Sequence, residues 1–311
     1  NYQTDNKPKT HAIMKRVLFF FGLFLLVAGG YTCKAQSVLD AEDDNNFTHF
    51  YSHTVTPGKK PMPYAYLRQD DVVWEHWVWR TIDFREKFNQ FLYFPIYKVD
   101  EPNRDQQGRM SLTRVVMDAF ESGAIEAYED DDLLIPRDYE TIMGQINRER
   151  TVHIAEWDEY GDETEGRDTI IVEEFNPENV YSCRIKEAWY IDKQDTRQKV
   201  RIVALSLIYN KCQDRGDELE CFAIPLFWIP MNDMRVRNVF VTHNSYDERN
   251  SRSEMTYDDV FVTRYFDSFV TRETNTYNRS ISSYLTGTDA ILESQRVEDY
   301  LFNIESDMWE Y

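Results

Sequence analysis

Glycine and histidine are scarce in this sequence, so few of the motifs that mark catalytic sites are present. It has eleven glycines and six histidines in 311 residues. There is no G-x-S-x-G elbow, no H-E-x-x-H or C-x-x-C motif, and no glycine-rich nucleotide loop. His49 and His53 are four residues apart, but their segment shows no helical pattern, so we predict no metal site. We therefore expect a non-enzymatic protein without a cofactor.

Positive charge is the second shortage. The chain carries 35 Lys and Arg against 55 Asp and Glu, a formal net charge of −20. Binding to a polyphosphate needs a basic stripe that displaces counterions, so the sequence predicts no nucleic-acid partner. Two interpretations of the acidic surplus stay open. It keeps an exported protein soluble, or it provides a docking face for a basic partner.

Long apolar runs are absent except for one near the amino terminus. Val17–Ala28 follows two basic residues and is too short to span a bilayer comfortably. This pattern predicts a secretory signal peptide over residues 14–35, cleaved after Ala35, with residues 1–13 as an upstream extension that is not part of the mature protein. No other apolar run approaches membrane-spanning length, so we expect no direct membrane insertion.

The four cysteines carry two separate predictions. Lipidation of Cys33 is the alternative to simple cleavage, but tyrosine and threonine precede it where a lipoprotein site needs small residues. Cleavage leaves Cys183, Cys212 and Cys221, and an odd number in an oxidising compartment predicts one disulfide and one free thiol. Cys212 and Cys221 flank a polar turn between two apolar runs and are the candidate disulfide. The alternative is two reduced thiols.

Beyond the signal peptide, the sequence predicts an extended arm and one folded domain. Residues 36–67 are polar and contain three prolines, so they lack a core of their own, and we expect them to wrap a neighbouring subunit. Residues 68–311 are rich in the aromatic side chains that fill cores, and we predict that they form a single α+β domain.

Hydrophobic spacing predicts helices on both sides of a sheet in this domain. The predicted helices are Asp70–Asn89, the residues after a Ser111 N-cap, Asp138–Ile146, Tyr257–Glu273 after a Thr256 N-cap, and Asp289–Asp307. The predicted strands are Thr169–Phe175, Val180–Tyr190, Val200–Tyr209 and Phe222–Pro230. The fold class is therefore α+β, an antiparallel β meander flanked by amino-terminal and carboxy-terminal helices.

Two stretches are rich in carboxylates, Glu126–Asp132 and Glu156–Asp168. A calcium loop requires oxygen ligands at alternate positions, a glycine at the sixth position and a glutamate at the twelfth. Neither stretch fits this pattern. We therefore predict that both are solvated loops.

The most distinctive segment is WRTIDFREKFNQFLYFP, Trp79–Pro95, which we name the signature segment. On the predicted helix, its charged residues form a face beside a stripe of tryptophan and phenylalanine. That face is a candidate protein interface, since arginine and aromatic side chains carry much of the binding energy at such sites. The alternative is a lattice of surface ion pairs on an amphipathic helix. The candidate interface residues are Trp77, Arg80, Asp83, Arg85, Glu86 and Lys87.

The signature segment also carries a family resemblance. It is similar to the corresponding segment of the GldN/PorN family, periplasmic components of the Bacteroidetes type IX secretion system. Two further stretches agree with that family in the expected order. They are RIKEAWYIDKQ with PLFWIP, and TYDDVFVTRYFDSFVTRETNTYNRSISSY at residues 256–284. Together these stretches span nearly all of the predicted mature chain.

The resemblance implies a structural role. Family members are expected to assemble in many copies with an outer-membrane lipoprotein of the GldK/PorK type, forming a periplasmic ring beneath the outer membrane. They are also expected to contact the periplasmic domain of an energy-transducing protein of the GldM/PorM type. In gliding relatives the same machinery serves motility. The alternative is an exported carbohydrate-binding or hydrolytic protein, which the aromatic and acidic richness suggests.

Overall fold

The computed structural model describes residues 59–96, 109–157, 163–173, 175–195, 197–215, 218–247, 249–250 and 253–308. These residues all belong to one unit of the chain, Pro57–Tyr311. The predicted upstream extension and signal peptide, the two closely spaced histidines and most of the predicted arm lie outside the described residues.

Nine strands form two antiparallel sheets in the described part of the chain. They are β1 Val72–Asp83, β2 Ala127–Tyr128, β3 Pro136–Arg137, β4 Arg148–Trp157, β5 Glu163–Glu173, β6 Val180–Asp192, β7 Gln198–Arg215, β8 Glu218–Pro230 and β9 Phe269–Glu273. The main sheet has seven strands in the order β3-β2-β8-β7-β6-β1-β9. The remaining two, β4 and β5, pair with each other as a separate hairpin.

Six α-helices accompany these sheets among the described residues. They are α1 Gln90–Tyr93, α2 Leu112–Glu121, α3 Tyr139–Ile146, α4 Met234–Thr242, α5 Tyr257–Thr263 and α6 Thr288–Met308. The predicted α+β class is confirmed, and so is the Ser111 cap of α2, whose side chain accepts a hydrogen bond from the Arg114 backbone N–H. The main core lies where α2, α4 and α5 pack on the sheet around Ile185, Leu205 and Phe227.

The predicted helix over Asp70–Asn89 is wrong, because this segment forms strand β1 between β6 and β9. Valine and tryptophan dominate it, and both favour strands. Every residue from Val78 to Ile82 is buried. Both faces of the strand are therefore covered, and the alternation that reveals a strand is lost. The helix prediction puts Val73 and Phe88 on one apolar face, but in the strand and the turn after it they are 66 % and 47 % exposed.

The helix predicted after Thr256 is correct only at its start. Thr256 and Asp259 form a reciprocal capping box, and α5 begins there. The chain leaves the helix at Arg264, whose φ of 56° lies in the left-handed region, and β9 follows. The hydrophobic spacing of this helix also predicts that Val262 and Phe269 are buried, but each has about half of its surface exposed.

Strands β6, β7 and β8 confirm the central meander, whereas the strand predicted at Thr169–Phe175 lies in another sheet. That segment contributes to β5, which pairs with β4. The acidic stretch Glu156–Asp168, predicted as a solvated loop, supplies residues to both of these strands. No sequence prediction covers α4. Its local signal is Asp233, whose side chain accepts a hydrogen bond from the Arg235 backbone N–H.

The end of the predicted arm packs on its own domain. The sequence predicts instead that the arm wraps a neighbouring subunit. The centroid of the Tyr64 ring is 4.5 Å from the guanidinium carbon of Arg237 and 4.6 Å from that of Arg201. Arg237 also donates to the Met62 carbonyl at 2.5 Å. Two hydrogen bonds of 2.8 Å hold Arg237 to the Asp258 carboxylate. A buried ion pair therefore anchors this stretch.

Replacing Asp258 with asparagine should destabilise the domain. Only 2 % of the Arg237 side chain and 8 % of the Asp258 side chain are exposed. Removing one partner of such a pair costs about 3–5 kcal/mol. Urea unfolding followed by tryptophan fluorescence measures the loss. The control is Asp118→Asn, because its ion pair with Arg114 is solvent-exposed and contributes about 0.5 kcal/mol. Equal unfolding free energies for the two variants would contradict this account.

The β7–β8 ladder places Cys212 and Cys221 directly opposite each other. Cys221 is disulfide-bonded, so the register supports the pairing predicted from the sequence. Cys183 is a free cysteine and fully buried. Burial raises the pKa of its thiol, which keeps it in the unreactive protonated form.

We expect one disulfide and one protected thiol in a chain that starts at Gln36. A Cys212–Cys221 bridge closes a short loop and contributes about 2.5–3 kcal/mol on the chain-entropy estimate. Peptide mass mapping under non-reducing conditions should recover these two cysteines linked. Cys183 should react with iodoacetamide only after denaturation. Recovery of both Cys212 and Cys221 as free thiols is the opposite result.

Candidate interaction surfaces

Strand β1 separates the six candidate interface residues instead of placing them on one face. Successive residues of a strand point to opposite faces, so Trp77 and Arg80 lie on opposite sides of the main sheet. The other four lie between Asp83, where the strand ends, and Lys87 in the turn that follows. The candidates therefore divide into two residues within the sheet and four at its end.

Arg80 belongs to a buried ion-pair cluster, so internal partners occupy its guanidinium. Its Nε lies 3.4 Å from Oε2 of Glu187, and a terminal nitrogen lies 2.9 Å from Glu298 on α6. Glu187 is fully buried and also accepts hydrogen bonds from Arg264 and from the Trp189 indole. The cluster joins β1, β6, α6 and the end of α5. The Arg80 side chain is therefore not available to a partner protein.

Trp77 lies on the other face of the sheet, where Lys186 covers two tryptophan rings. The Lys186 ammonium is 5.2 Å from the Trp77 centroid and 5.4 Å from the Trp79 centroid, within the range of cation–π attraction. It also pairs with Asp131 at 3.4 Å and Asp132 at 3.0 Å. These carboxylates belong to the first acidic stretch. In that stretch Glu126, Glu129, Asp130 and Asp132 are exposed as predicted, whereas Asp131 is held against the sheet.

The turn after β1 presents charges of both signs in a fixed shape. The Arg85 side chain donates hydrogen bonds to the Asp83 carboxylate, and these lower the pKa of Asp83 and raise that of Arg85. Desolvation, with the charge of Asp267, raises the pKa of Glu86. The buried Asn89 amide donates to Glu86 and to the main-chain carbonyls of Asp83 and Asp267. Hydrogen bonds from the Asn89 side chain therefore connect the turn to the rest of the domain.

An aromatic groove lies directly after this turn. Ring centroids are 4.9 Å apart between Phe88 and Tyr265 and 5.8 Å apart between Phe91 and Tyr265. Phe88, Phe94 and Tyr265 are each 44–48 % exposed. Such a cluster of half-exposed aromatic side chains is typical of an interaction site. The groove has a volume of about 960 Å³, and its polar lining includes Lys87, Ser245, Asp247 and Arg249.

The sequence pattern points to only part of this surface. The predicted interface residues include Lys87. The helix prediction places Phe88 on the apolar face of a helix, and no role is predicted for Phe94 or Tyr265. A usable signal is the aromatic density of FNQFLYFP, four aromatic residues in eight. Tyr265 joins the groove because the chain leaves α5 at Arg264, one residue earlier. The local sequence has no signal for this end of the helix.

Two negative findings apply to the described residues alone. Among them, no three His, Cys, Asp or Glu side chains lie close enough together to hold a metal ion. None of the described helices combines the length and the apolar character needed to cross a membrane.

Comparison with known proteins identifies the family. No curated protein matches the chain. The family described as "Gliding motility associated protein GldN" matches residues 67–310. The match includes the signature segment, the aromatic groove and all six candidate interface residues. The chain therefore belongs to the GldN family and is a component of the gliding-motility and type IX secretion machinery.

Proposed function

We propose that this chain is a non-enzymatic structural subunit of the type IX secretion system. Many copies assemble with an outer-membrane lipoprotein of the GldK/PorK type into a periplasmic ring, and the ring contacts the periplasmic domain of a GldM/PorM-type protein. The lipoprotein supplies the membrane anchor, because the chain's own apolar run is predicted to be a cleaved signal peptide.

The observation that carries this proposal is the aromatic groove within the signature segment. The segment buries Ile82, Phe84 and Leu92 in the main core but leaves Phe88 and Phe94 half exposed. Exposed aromatic side chains beside charged residues are characteristic of protein interfaces. The groove is part of the region that matches the family.

We assign the aromatic groove to the lipoprotein contact. Permanent interfaces are more apolar than transient ones, and an anchor is a permanent contact, whereas an energy-transducing contact forms and breaks. The groove is the more apolar part of the candidate surface, and the turn with Asp83, Arg85 and Glu86 provides its polar rim.

The alternative of a carbohydrate-binding or hydrolytic protein has no observation in its favour. Glycoside hydrolysis uses two carboxylates that flank the scissile bond. Among the described residues, one carboxylate, that of Asp247, lines the aromatic groove. One described carboxylate, that of Asp131, lines a second cavity beside Trp79.

Replacing Phe88 and Phe94 with serine should weaken recovery of the lipoprotein with this chain. The double variant removes apolar area from the groove and leaves the buried residues of the segment in place. Loss of an aromatic anchor costs about 2 kcal/mol or more in binding, so lipoprotein recovery should fall at least about tenfold. The measurement is affinity purification of the tagged chain from the outer-membrane fraction, with the lipoprotein quantified by mass spectrometry.

The matched control is Val73→Ser with Leu134→Ser. Both side chains are exposed apolar groups outside the groove, so recovery should match the wild type. The intact mass of the purified chain tests export in the same sample, with Gln36 expected as the first residue. Unchanged recovery with F88S/F94S would refute the groove assignment. A wild-type chain that never co-purifies with the lipoprotein would refute the ring proposal.

A further inference from the structure

A cavity of about 590 Å³ opens at the β9 edge of the main sheet, beside Trp79. Residues of β1, β6, β8 and β9 line it together with the first turns of α6. Trp79, Trp228 and Ile291 give it apolar walls, and Arg184 and Arg272 give it charge. We name it the arginine cavity.

The two arginines have no carboxylate partner among the described residues. Arg184 makes no ion pair or side-chain hydrogen bond there, and its Nε is buried without an acceptor. Arg272 stacks on Trp79, with 3.9 Å from the guanidinium carbon to the ring centroid, and donates to Asn278. Its Nε is likewise buried and unbonded. No described carboxylate therefore neutralises either guanidinium group in this cavity.

Positive charge is in excess inside this cavity, although the chain as a whole carries −20. Asp131 is the only carboxylate among the described residues that line it. Trp79 and Lys186 already engage that carboxylate, at 2.8 Å and 3.4 Å. Burial, with the neighbouring charge of Arg272, lowers the pKa of Arg184. The charged form of Arg184 is therefore less stable here than in water, and a bound anion would offset that cost.

The size and walls of the cavity favour a peptide segment over a small anion. Pockets of a few hundred Å³ accept ligands much larger than phosphate. Guanidinium groups bind carboxylates with paired hydrogen bonds, and the tryptophan walls favour an aromatic side chain next to them. The occupant with this chemistry is an acidic segment that also contains aromatic residues.

The chain contains such a segment in its β4–β5 hairpin. Residues 154–168 read IAEWDEYGDETEGRD, with seven carboxylates, one tryptophan and one tyrosine. The ten residues of β4 extend about 33 Å at a rise of ~3.3 Å per residue. Neither hairpin strand pairs with the main sheet in the described part of the chain. The hairpin is therefore long enough to reach a neighbouring subunit.

We propose that the arginine cavity binds the acidic hairpin of a second copy of this chain, with Arg184 and Arg272 recognising its carboxylates. This inference rests on the proposed ring, and it names the contact between neighbouring copies. A segment of one copy that meets a different surface of the next is a heterologous contact, the type that closes into rings. The contact uses none of the residues that line the aromatic groove.

A fluorescein-labelled peptide of residues 154–168 tests this contact. It is titrated into the purified chain that starts at Gln36, and binding is followed by fluorescence anisotropy at low ionic strength. We expect saturable binding to the wild type. The R184Q/R272Q variant should bind at least about tenfold more weakly, because each arginine supplies charge-assisted hydrogen bonds.

Two controls separate recognition from general charge attraction. The variant R114Q/R235Q removes the same charge from two exposed side chains outside the cavity, and it should bind the peptide as the wild type does. A peptide in which every Asp and Glu is replaced by its amide should not bind. Matching unfolding midpoints show that both arginine variants are folded.

A second variant tests the proposal from the other side of the contact. Replacing the carboxylates between Glu156 and Glu165 with amides leaves the arginine cavity intact. In complex with the lipoprotein, this chain should give separate subunits in electron micrographs under conditions where the wild type forms closed assemblies. Closed assemblies of this variant would overturn the proposal.

Three peptide results would also overturn it. These are equal binding to the wild type and R184Q/R272Q, equal binding of the acidic and amide peptides, and no binding of the acidic peptide. The ring proposal survives each of them if the chain still co-purifies with the lipoprotein. Failure of that co-purification refutes the ring whatever the peptide does, so the two failures are distinguishable.

Discussion

A single buried carboxylate, that of Glu187, constrains the arrangement of this domain. It has no exposed surface, and two arginines from distant parts of the chain, Arg80 and Arg264, pair with it. A buried charge without partners costs several kcal/mol. The fold is therefore stable only when β1, β6 and the end of α5 come together. Arg80 extends the same constraint to α6 through Glu298.

This constraint decides which part of the signature segment is free to meet a partner. Because Arg80 faces Glu187, its neighbours Trp79 and Thr81 face the opposite side of the sheet, and Trp79 lines the arginine cavity. The strand ends at Asp83, and the residues that follow form the charged turn and the aromatic groove. One continuous segment thus holds the domain together at its start and presents a partner surface at its end.

Local sequence signals predicted the elements whose determinants are local. The Ser111 cap marks α2, and apolar segments separated by polar turns mark β6, β7 and β8. Strand β1 has no such signal, since strands on both sides and packing on both faces remove its alternation. The Thr256 capping box fixes where α5 begins but not where it ends, so β9 was predicted as helix. At the candidate site, the burial of Arg80 has no local signal, since arginine is rarely buried in proteins. It depends on Glu187, which lies far along the chain.

Hydrogen exchange on the Glu187→Gln variant tests this dependence most directly. If the carboxylate holds these elements together, the amides of β1, β9 and α6 should lose about 3 kcal/mol or more of protection, because the buried Arg80 and the part-buried Arg264 each lose a carboxylate partner. Glu126→Gln is the control, since its pair with Arg235 is exposed, and its exchange pattern should match the wild type. Unchanged protection of β9 and α6 in Glu187→Gln would contradict the account.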